Sequence, residues 1–169
     1  MDRWLLQNTR FMSIIGAMLG VIHPDQYAAG MGILETLRAN PSILREPEHM
    51  RTVLDLWCIP FSGCAIIANR ETPEHRDTQG RGKWYDILST LGNYEGATLD
   101  FPGLGVSFGY ESGTMVGLCG KVLSHKVGWV EEGDRVCFAW FMREKVAKHL
   151  HWPNARPSCP ESVEAVQDL

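Results

Sequence analysis

The first third of the chain has the hydrophobic spacing of amphipathic helices. Apolar residues recur every three or four positions over 4–22, and the same spacing returns over 24–40 and over 47–57. The second segment stops before Pro41, which disfavours helix in the residue that precedes it. The pattern therefore predicts three helices within residues 1–58.

Beyond residue 60 the pattern changes to short apolar runs that Gly, Pro and Asn separate. The spacing, about 8 to 12 residues, is typical of an antiparallel sandwich. The strands are predicted near 63–69, 85–92, 97–101, 105–109, 113–118, 121–125 and 135–143. Helices followed by strands predict an α+β fold, a double-stranded β-helix (jelly roll) core buttressed by N-terminal helices.

The domain organisation follows from the same pattern. We expect one domain over 1–152, with a helical preamble of 1–58 and a jelly-roll core of 60–145. The proline-containing stretch 153–169 is predicted to be a poorly ordered C-terminal tail.

Composition narrows the class of protein. With 169 residues, 44% hydrophobic and 21% charged, the chain is predicted to fold rather than to be disordered. No apolar run is expected to reach the roughly 20 residues of a membrane span, so we expect a soluble, intracellular protein with no membrane contact. A net charge of -4 argues against a protein that coats nucleic acid by bulk charge. Five cysteines without a CxxC pair favour buried, reduced thiols.

One ordered set of residues suggests metal chemistry. His75 and Asp77 form a His-x-Asp pair in a loop; with 6 His and 8 Asp in 169 positions, about 0.3 such pairs arise by chance, so alone it is equally consistent with a solvated loop. His125 follows 48 residues after Asp77. Two His and one carboxylate can occupy one face of an iron octahedron, the facial triad of non-haem Fe(II) oxygenases.

Arg135 begins the most apolar predicted strand of the chain. Period-two alternation puts Arg135, Cys137, Ala139, Phe141 and Arg143 on one face. A hairpin between the strands of His125 and Arg135 is predicted to place them side by side. A buried guanidinium needs an anion, and its planar fork suits a dicarboxylate such as 2-oxoglutarate. The alternative is a surface arginine that pairs with Asp134 or Glu132.

Four stretches together resemble a known family: IANRETPEHRD (67–77), WYDIL with LGNY (84–94), PGLG (102–105) and GKVLSH through GDRVCF (120–138). They are similar to the TET/JBP family of 2-oxoglutarate and Fe(II) dependent dioxygenases, and within it to the TET-like group expanded in basidiomycete fungi. The resemblance covers roughly residues 60–145.

The resemblance implies a role for each candidate residue. Fe(II) is expected on His75, Asp77 and His125, and the distal carboxylate of 2-oxoglutarate on Arg135. Arg70 matches a family arginine near the other end of the co-substrate; its alternative is an ion pair with Glu71 or Glu74. Cys137 stands where family members often carry Ser, and a thiol is the weaker donor.

The resemblance also implies a reaction: stepwise oxidation of the methyl group of a DNA base, typically 5-methylcytosine to its hydroxymethyl, formyl and carboxyl forms, with O₂ consumed. The base would be flipped out of double-stranded DNA. We expect a monomer in the nucleus. Oxidation of N6-methyladenine, methylated RNA or thymine remains open, as does a catalytically idle, transposon-derived DNA-binding module.

Candidate substrate contacts come from the loop after the His-x-Asp pair and from the far end of the last strand. Arg143 is a candidate base or phosphate contact. The basic residues of the loop are candidate phosphate contacts, with a solvated face as the alternative, and the aromatic residues are candidate stacking groups, with the core as the alternative. These residues are Arg76, Arg81, Lys83, Trp84 and Tyr85.

Overall fold

The structure, a computed structural model, describes residues 2–128, 130 and 132–152. The predicted tail, 153–169, lies outside the described residues. The chain forms two compact units: one contains the residues up to Pro60 and the described residues from Ala147 onward, and the other is Phe61–Val146. The prediction of one domain over 1–152 stays a prediction.

The three predicted helices are present. They are α1 (Asp2–Ile22), α2 (Pro24–Ala39) and α3 (Pro47–Leu56), with a 3-10 turn at Pro41–Ile43. A further short helix, α4 (Glu144–His149), was not predicted.

Helix ends in the first unit are fixed by side chains. The buried His23 caps α2, because its Nδ1 accepts the backbone N–H of Gln26 at 3.3 Å. Arg38 donates to the carbonyls of Leu54 and Trp57, both at 2.9 Å, and so satisfies the C-terminal end of α3. These contacts hold the helices in fixed positions within the unit.

The helix α1 corrects the expectation about apolar runs. Arg3–Ile22 is long and apolar enough, by length and composition alone, to cross a membrane. Core helices of soluble proteins meet the same test, and one stripe of α1 is fully buried in this unit, at Met12, Ile15 and Leu19. The test therefore decides nothing about a membrane.

The second unit is a jelly roll of two antiparallel four-stranded sheets. The strands are β1 (Gly63–Ala68), β2 (Thr72–His75), β3 (Asp86–Gly92), β4 (Thr98–Phe101), β5 (Val106–Gly109), β6 (Met115–Leu118), β7 (His125–Val127) and β8 (Arg135–Phe141). The first sheet has the order β1-β8-β3-β6 and the second β2-β7-β4-β5. Their buried apolar residues form one core that draws on both sheets.

Two strand predictions were wrong. The strand β2 was missed, because Pro73 marks an edge strand at most, and β2 lies at the edge of its sheet. The strand predicted at 121–125 is a turn that leads into β7.

The predicted hairpin between β7 and β8 is also wrong, because these strands lie in different sheets. The apolar β8 pairs with β1 on one side and β3 on the other, so it has no free edge for β7. The strand β7 pairs with β2 and β4 instead. The basis for placing His125 beside Arg135 was therefore incorrect.

Candidate active site

The two candidate histidines lie opposite each other on neighbouring strands. The antiparallel pairing of β2 and β7 aligns His75 with His125, and their ring centroids are 4.4 Å apart. Asp77 follows two residues after β2: its Oδ1 is 3.7 Å from Nε2 of His75 and its Oδ2 is 3.8 Å from Nε2 of His125. One ligand atom from each residue lies within 4.8 Å of the others. The predicted trio thus converges on one point.

Backbone carbonyls orient both imidazole rings. His75 Nδ1 lies 2.9 Å from the carbonyl of Pro73, and His125 Nδ1 lies 3.1 Å from that of Leu123. Donation by Nδ1–H leaves each Nε2 with a lone pair directed at the carboxylate, the arrangement of metal-bound histidines. Burial lowers the pKa of His125 and so favours the neutral ring that binds metal.

Gly120 holds Asp77 in place, and the sequence analysis missed it. The carbonyl of Gly120 accepts the backbone N–H of Asp77 at 2.8 Å. A Cβ on Gly120 would lie 2.5 Å from Asp77 Oδ2 and 3.0 Å from Asp86 Oδ2. Only glycine fits between the two carboxylates. The signal in the sequence was that Gly120 begins the stretch 120–138 of the family resemblance, which gave this glycine no role.

The trio opens into a cavity of about 180 Å³. The face of β8 that the alternation predicts lines it as far as Phe141, where the strand ends; beyond that point Met142, which strict alternation would put on the opposite face, lines it as well. The lining residues from β8 and just beyond it are Arg135, Cys137, Ala139, Phe141, Met142 and Arg143.

Arg135 is buried and forms no ion pair with another described residue. Its side chain is 1% exposed, and it donates from Nε to Thr90 Oγ1 at 3.2 Å and from one terminal nitrogen to the carbonyl of Arg70 at 3.3 Å. Its guanidinium also lies over the ring of Tyr110, 5.3 Å from the centroid. No carboxylate of the described residues lies within 4.0 Å of it. A buried cation held only by neutral groups is a strong anion site.

Two asparagines fix the beginning of β8. Asn69, at φ 46°, accepts the backbone N–H of Arg135 at 2.7 Å and donates to Asp134 Oδ1 at 2.6 Å. Asn93 accepts the backbone N–H of Asp134 at 2.9 Å. Asn tolerates the left-handed conformation and supplies a donor and an acceptor, so it suits this corner. Neither residue was predicted as functional.

Cys137 has a partner that the sequence could not show. Its Sγ lies 3.5 Å from the hydroxyl of the buried Tyr110. Burial raises the pKa of the Cys137 thiol, so the group stays neutral beside the anion site.

Asp86 also lines the cavity, and the sequence analysis did not select it. The residue is 8% exposed, and its carboxyl has no hydrogen bond or ion pair with any described residue. Burial, followed by the charge of Asp77, raises the pKa of Asp86 to about 7. Its other charged neighbour in the cavity is Arg143, whose charge opposes that shift.

The predicted substrate contacts have different surroundings. Arg70 and Arg76 are exposed, as is Lys83, while Tyr85 is half-buried. Arg143 lines the cavity with its guanidinium 4.0 Å from the centre of the Phe141 ring.

Arg81 and Trp84 contact each other. Arg81 forms an ion pair with Glu144 at 3.4 Å and stacks on Trp84, 4.6 Å from the ring centre. Trp84 is 4% exposed, which agrees with the core alternative.

The jelly roll and the His, Asp, His cluster together define an oxygenase of the facial-triad class. Residues 5–144 match the Tet_JBP family, described as the oxygenase domain of the 2OGFeDO superfamily. The chain belongs to this family, whose members use Fe(II) and 2-oxoglutarate.

A solved structure has the same fold. The structure of NgTET1 in complex with 5mC DNA superposes with a TM-score of 0.61 at 13% sequence identity. The match covers 97% of this chain but 58% of that chain, so the present sequence spans little more than half the length of that relative. None of the curated proteins matches the chain.

Proposed function

We propose that the protein is an Fe(II) and 2-oxoglutarate dependent dioxygenase that oxidises the methyl group of a DNA base, with 5-methylcytosine as the preferred substrate. One observation carries the proposal: a buried arginine, which has no counter-ion in the described part of the chain, shares a cavity with a His, Asp, His cluster. That pair of features is what binding a metal and a dicarboxylate together requires.

The donor set fits iron. The cluster would supply two neutral imidazole nitrogens, from His75 and His125, and one carboxylate oxygen, from Asp77, all facing one point. Backbone carbonyls hold the other ring nitrogen of each histidine. When bound, Fe(II) and 2-oxoglutarate supply oxidising power, because O₂ converts the co-substrate to succinate and CO₂ and leaves one oxygen atom for the methyl group.

Arg135 would bind the distal carboxylate of 2-oxoglutarate. Two of its donors are already used by Thr90 and the Arg70 carbonyl, so the guanidinium is fixed in orientation while other donors remain for an anion. The neutral Cys137 thiol beside it adds a weak donor without adding negative charge. The contact that the resemblance suggested for the Arg70 side chain remains a proposal.

The substrate would occupy the end of the cavity opposite Arg135. Asp86 is buried there, with no hydrogen bond or ion pair to another described residue, and would accept hydrogen bonds from the substrate, while Arg143 would donate them. The Watson–Crick edge of cytosine or adenine offers this pairing, an amino group next to an acceptor, once the base is flipped out. Exposed Arg76 and Lys83 would contact phosphates, and the half-buried Tyr85 would stack on the base.

Several finer points belong to the proposal. NgTET1, which shares the fold, forms its complex with 5mC DNA, and this supports a DNA substrate for the present chain, which we propose is double-stranded. We further propose that the chain belongs to the TET-like group of basidiomycete fungi, acts as a monomer and resides in the nucleus, where such a substrate lies. N6-methyladenine remains the second candidate base, since it offers Asp86 the same amino group.

The test is mass spectrometry of nucleosides after incubating the protein with Fe(II), 2-oxoglutarate and air. Separate duplexes carry 5-methylcytosine, N6-methyladenine or no modified base. We expect oxidised 5-methylcytosine from the wild type and none from His75→Ala or Asp77→Ala, both of which should remain folded. Product from either variant would contradict the iron assignment. Succinate without any oxidised base would contradict the DNA substrate. The absence of both succinate and oxidised base would support an idle binding module.

A further inference from the structure

The loop that follows the candidate iron ligand Asp77 is tied down at several points. In the 78–85 loop, the carbonyl of Gln79 accepts the backbone N–H of Glu144 at 3.3 Å, and the carbonyl of Gly82 accepts the Cys119 thiol at 3.1 Å. The backbone N–H of Trp84 donates to the carbonyl of Arg81 at 3.1 Å and closes a turn. A loop held by these hydrogen bonds has a fixed position and forms part of a wall instead of moving freely.

Arg81 adds an ion pair and a ring contact to these connections. Its side chain is 15% exposed: one face of the guanidinium covers the buried Trp84 ring, and Nε lies 3.4 Å from Oε1 of Glu144. A half-buried pair that is also stacked keeps more of its energy than an exposed one. A DNA phosphate would have to approach this arginine against the charge of Glu144. Arg81 is thus poorly suited to the phosphate contact expected from its charge.

The two partners of this ion pair are next to two walls of the cavity. Gly80, directly before Arg81, lines it from the loop, and Arg143, directly before Glu144, lines it from beyond the end of β8. The pair therefore spans from one wall to the other.

We propose that Arg81 and Glu144 form a latch that fixes the spacing between Gly80 and Arg143 and so positions a substrate in front of the iron ligands. Both are positioning residues, and neither contacts substrate. The link to substrate rests on the proposed function, whereas the latch itself does not. Loss of the latch would let the methyl group of the substrate move away from its position in front of the iron ligands. A displacement of about 1 Å costs on the order of 100-fold in rate.

The first test measures hydrogen–deuterium exchange of the 78–85 loop in full-length protein. The variants are Arg81→Glu, Glu144→Arg and the double exchange of both, with Glu144→Gln as a milder single change. We expect each charge reversal to speed exchange in the loop about tenfold, and the double exchange to recover part of the protection, since directly paired groups are not additive. Arg76→Glu is the matched control: it makes the same charge change at an exposed residue beside the loop and should leave exchange unaltered.

The second test measures oxidised base formed per succinate on a methylated duplex, along with KM for the duplex at several salt concentrations. A latch variant should lower the yield of oxidised base per succinate and leave KM for 2-oxoglutarate unchanged, and the double exchange should restore the yield. Arg76→Glu should instead weaken duplex binding and reduce the salt slope by about 1, as loss of a phosphate contact does.

Two results would overturn the latch: single variants with wild-type loop exchange, or a double exchange no better than the two single changes combined. If Arg81→Glu behaved as Arg76→Glu in the salt series and the double exchange did not help, Arg81 would be a phosphate contact. If the wild type oxidised no methylated duplex, the proposed function would fall, and the exchange data alone would decide whether the latch exists.

Discussion

Substituting Gly120 by Ala should disable the iron site while leaving the fold in place. The new Cβ would lie 2.5 Å from Asp77 Oδ2, whereas ordinary contact begins at 3.4 Å, so one of the two must move by about 0.9 Å. The backbone of Gly120 cannot simply retreat, because its carbonyl holds the backbone N–H of Asp77 and would carry that residue along.

The displacement is large for a metal ligand. Ligand distances in metal sites are held within about 0.2 Å, and a shift near 1 Å costs on the order of 100-fold in rate. We therefore expect Gly120→Ala to bind Fe(II) at least tenfold more weakly and to form succinate about 100-fold more slowly. The fold should lose no more than the roughly 1 to 3 kcal/mol typical of overpacking.

The measurement is equilibrium dialysis of Fe(II) under anaerobic conditions, with succinate formation and thermal unfolding on the same samples. Gly103→Ala is the matched control, because among the described residues no atom lies within 4 Å of a Cβ there. Wild-type iron affinity and turnover in Gly120→Ala would refute the role assigned to this glycine.

Three further predictions concern the anion end of the cavity and the buried acid. Arg135→Ala should raise the 2-oxoglutarate concentration needed for half-maximal turnover by orders of magnitude, and unchanged dependence in a co-substrate titration would remove its role. Asn69→Ala loses two hydrogen bonds at a left-handed residue, so it should raise the 2-oxoglutarate concentration for half-maximal turnover about tenfold. This rise is smaller than the one expected for Arg135→Ala. Asp86 has a pKa raised to about 7 from 3.8, so the folded state binds its proton more tightly and stability should fall as pH rises from about 4 to 7. Asp86→Asn should stabilise the metal-free protein at pH 8 by a few kcal/mol at most, and should not stabilise it at pH 4. Equal unfolding temperatures of the variant and the wild type at pH 8 would contradict this.

Much of the site could be predicted because its residues have an ordered spacing and a strict period. The alternation along β8 is enough to put Arg135, Cys137, Ala139 and Phe141 on the face that lines the cavity, whereas Arg143 lines it from beyond the end of the strand. The trio needed only two His and one Asp at positions that a jelly roll brings together. For the trio, the spacing of the residues and their chemistry as metal ligands indicated the same site.

What could not be predicted depends on pairing across the sheets. The strand β2 is short, polar and contains Pro73, so nothing local marks it as a strand, yet it carries His75. The hairpin error arose because adjacency in sequence suggests pairing, while β8 satisfies both its edges with β1 and β3. Asp86 and Gly120 have meaning only through neighbours brought from elsewhere in the chain.

The pairing of β2 with β7 has a consequence for how the protein is made. His75 and His125 are 50 positions apart, so the chain must close a loop of that length before their rings face each other. Contacts of such long range form slowly compared with local ones, and a partly folded chain lacks the metal site. Iron can thus bind only to the fully folded chain. At an iron concentration 100 times the dissociation constant, binding would add about 2.7 kcal/mol to the free energy of unfolding. Iron supply during synthesis should therefore raise the yield of folded protein without speeding its folding.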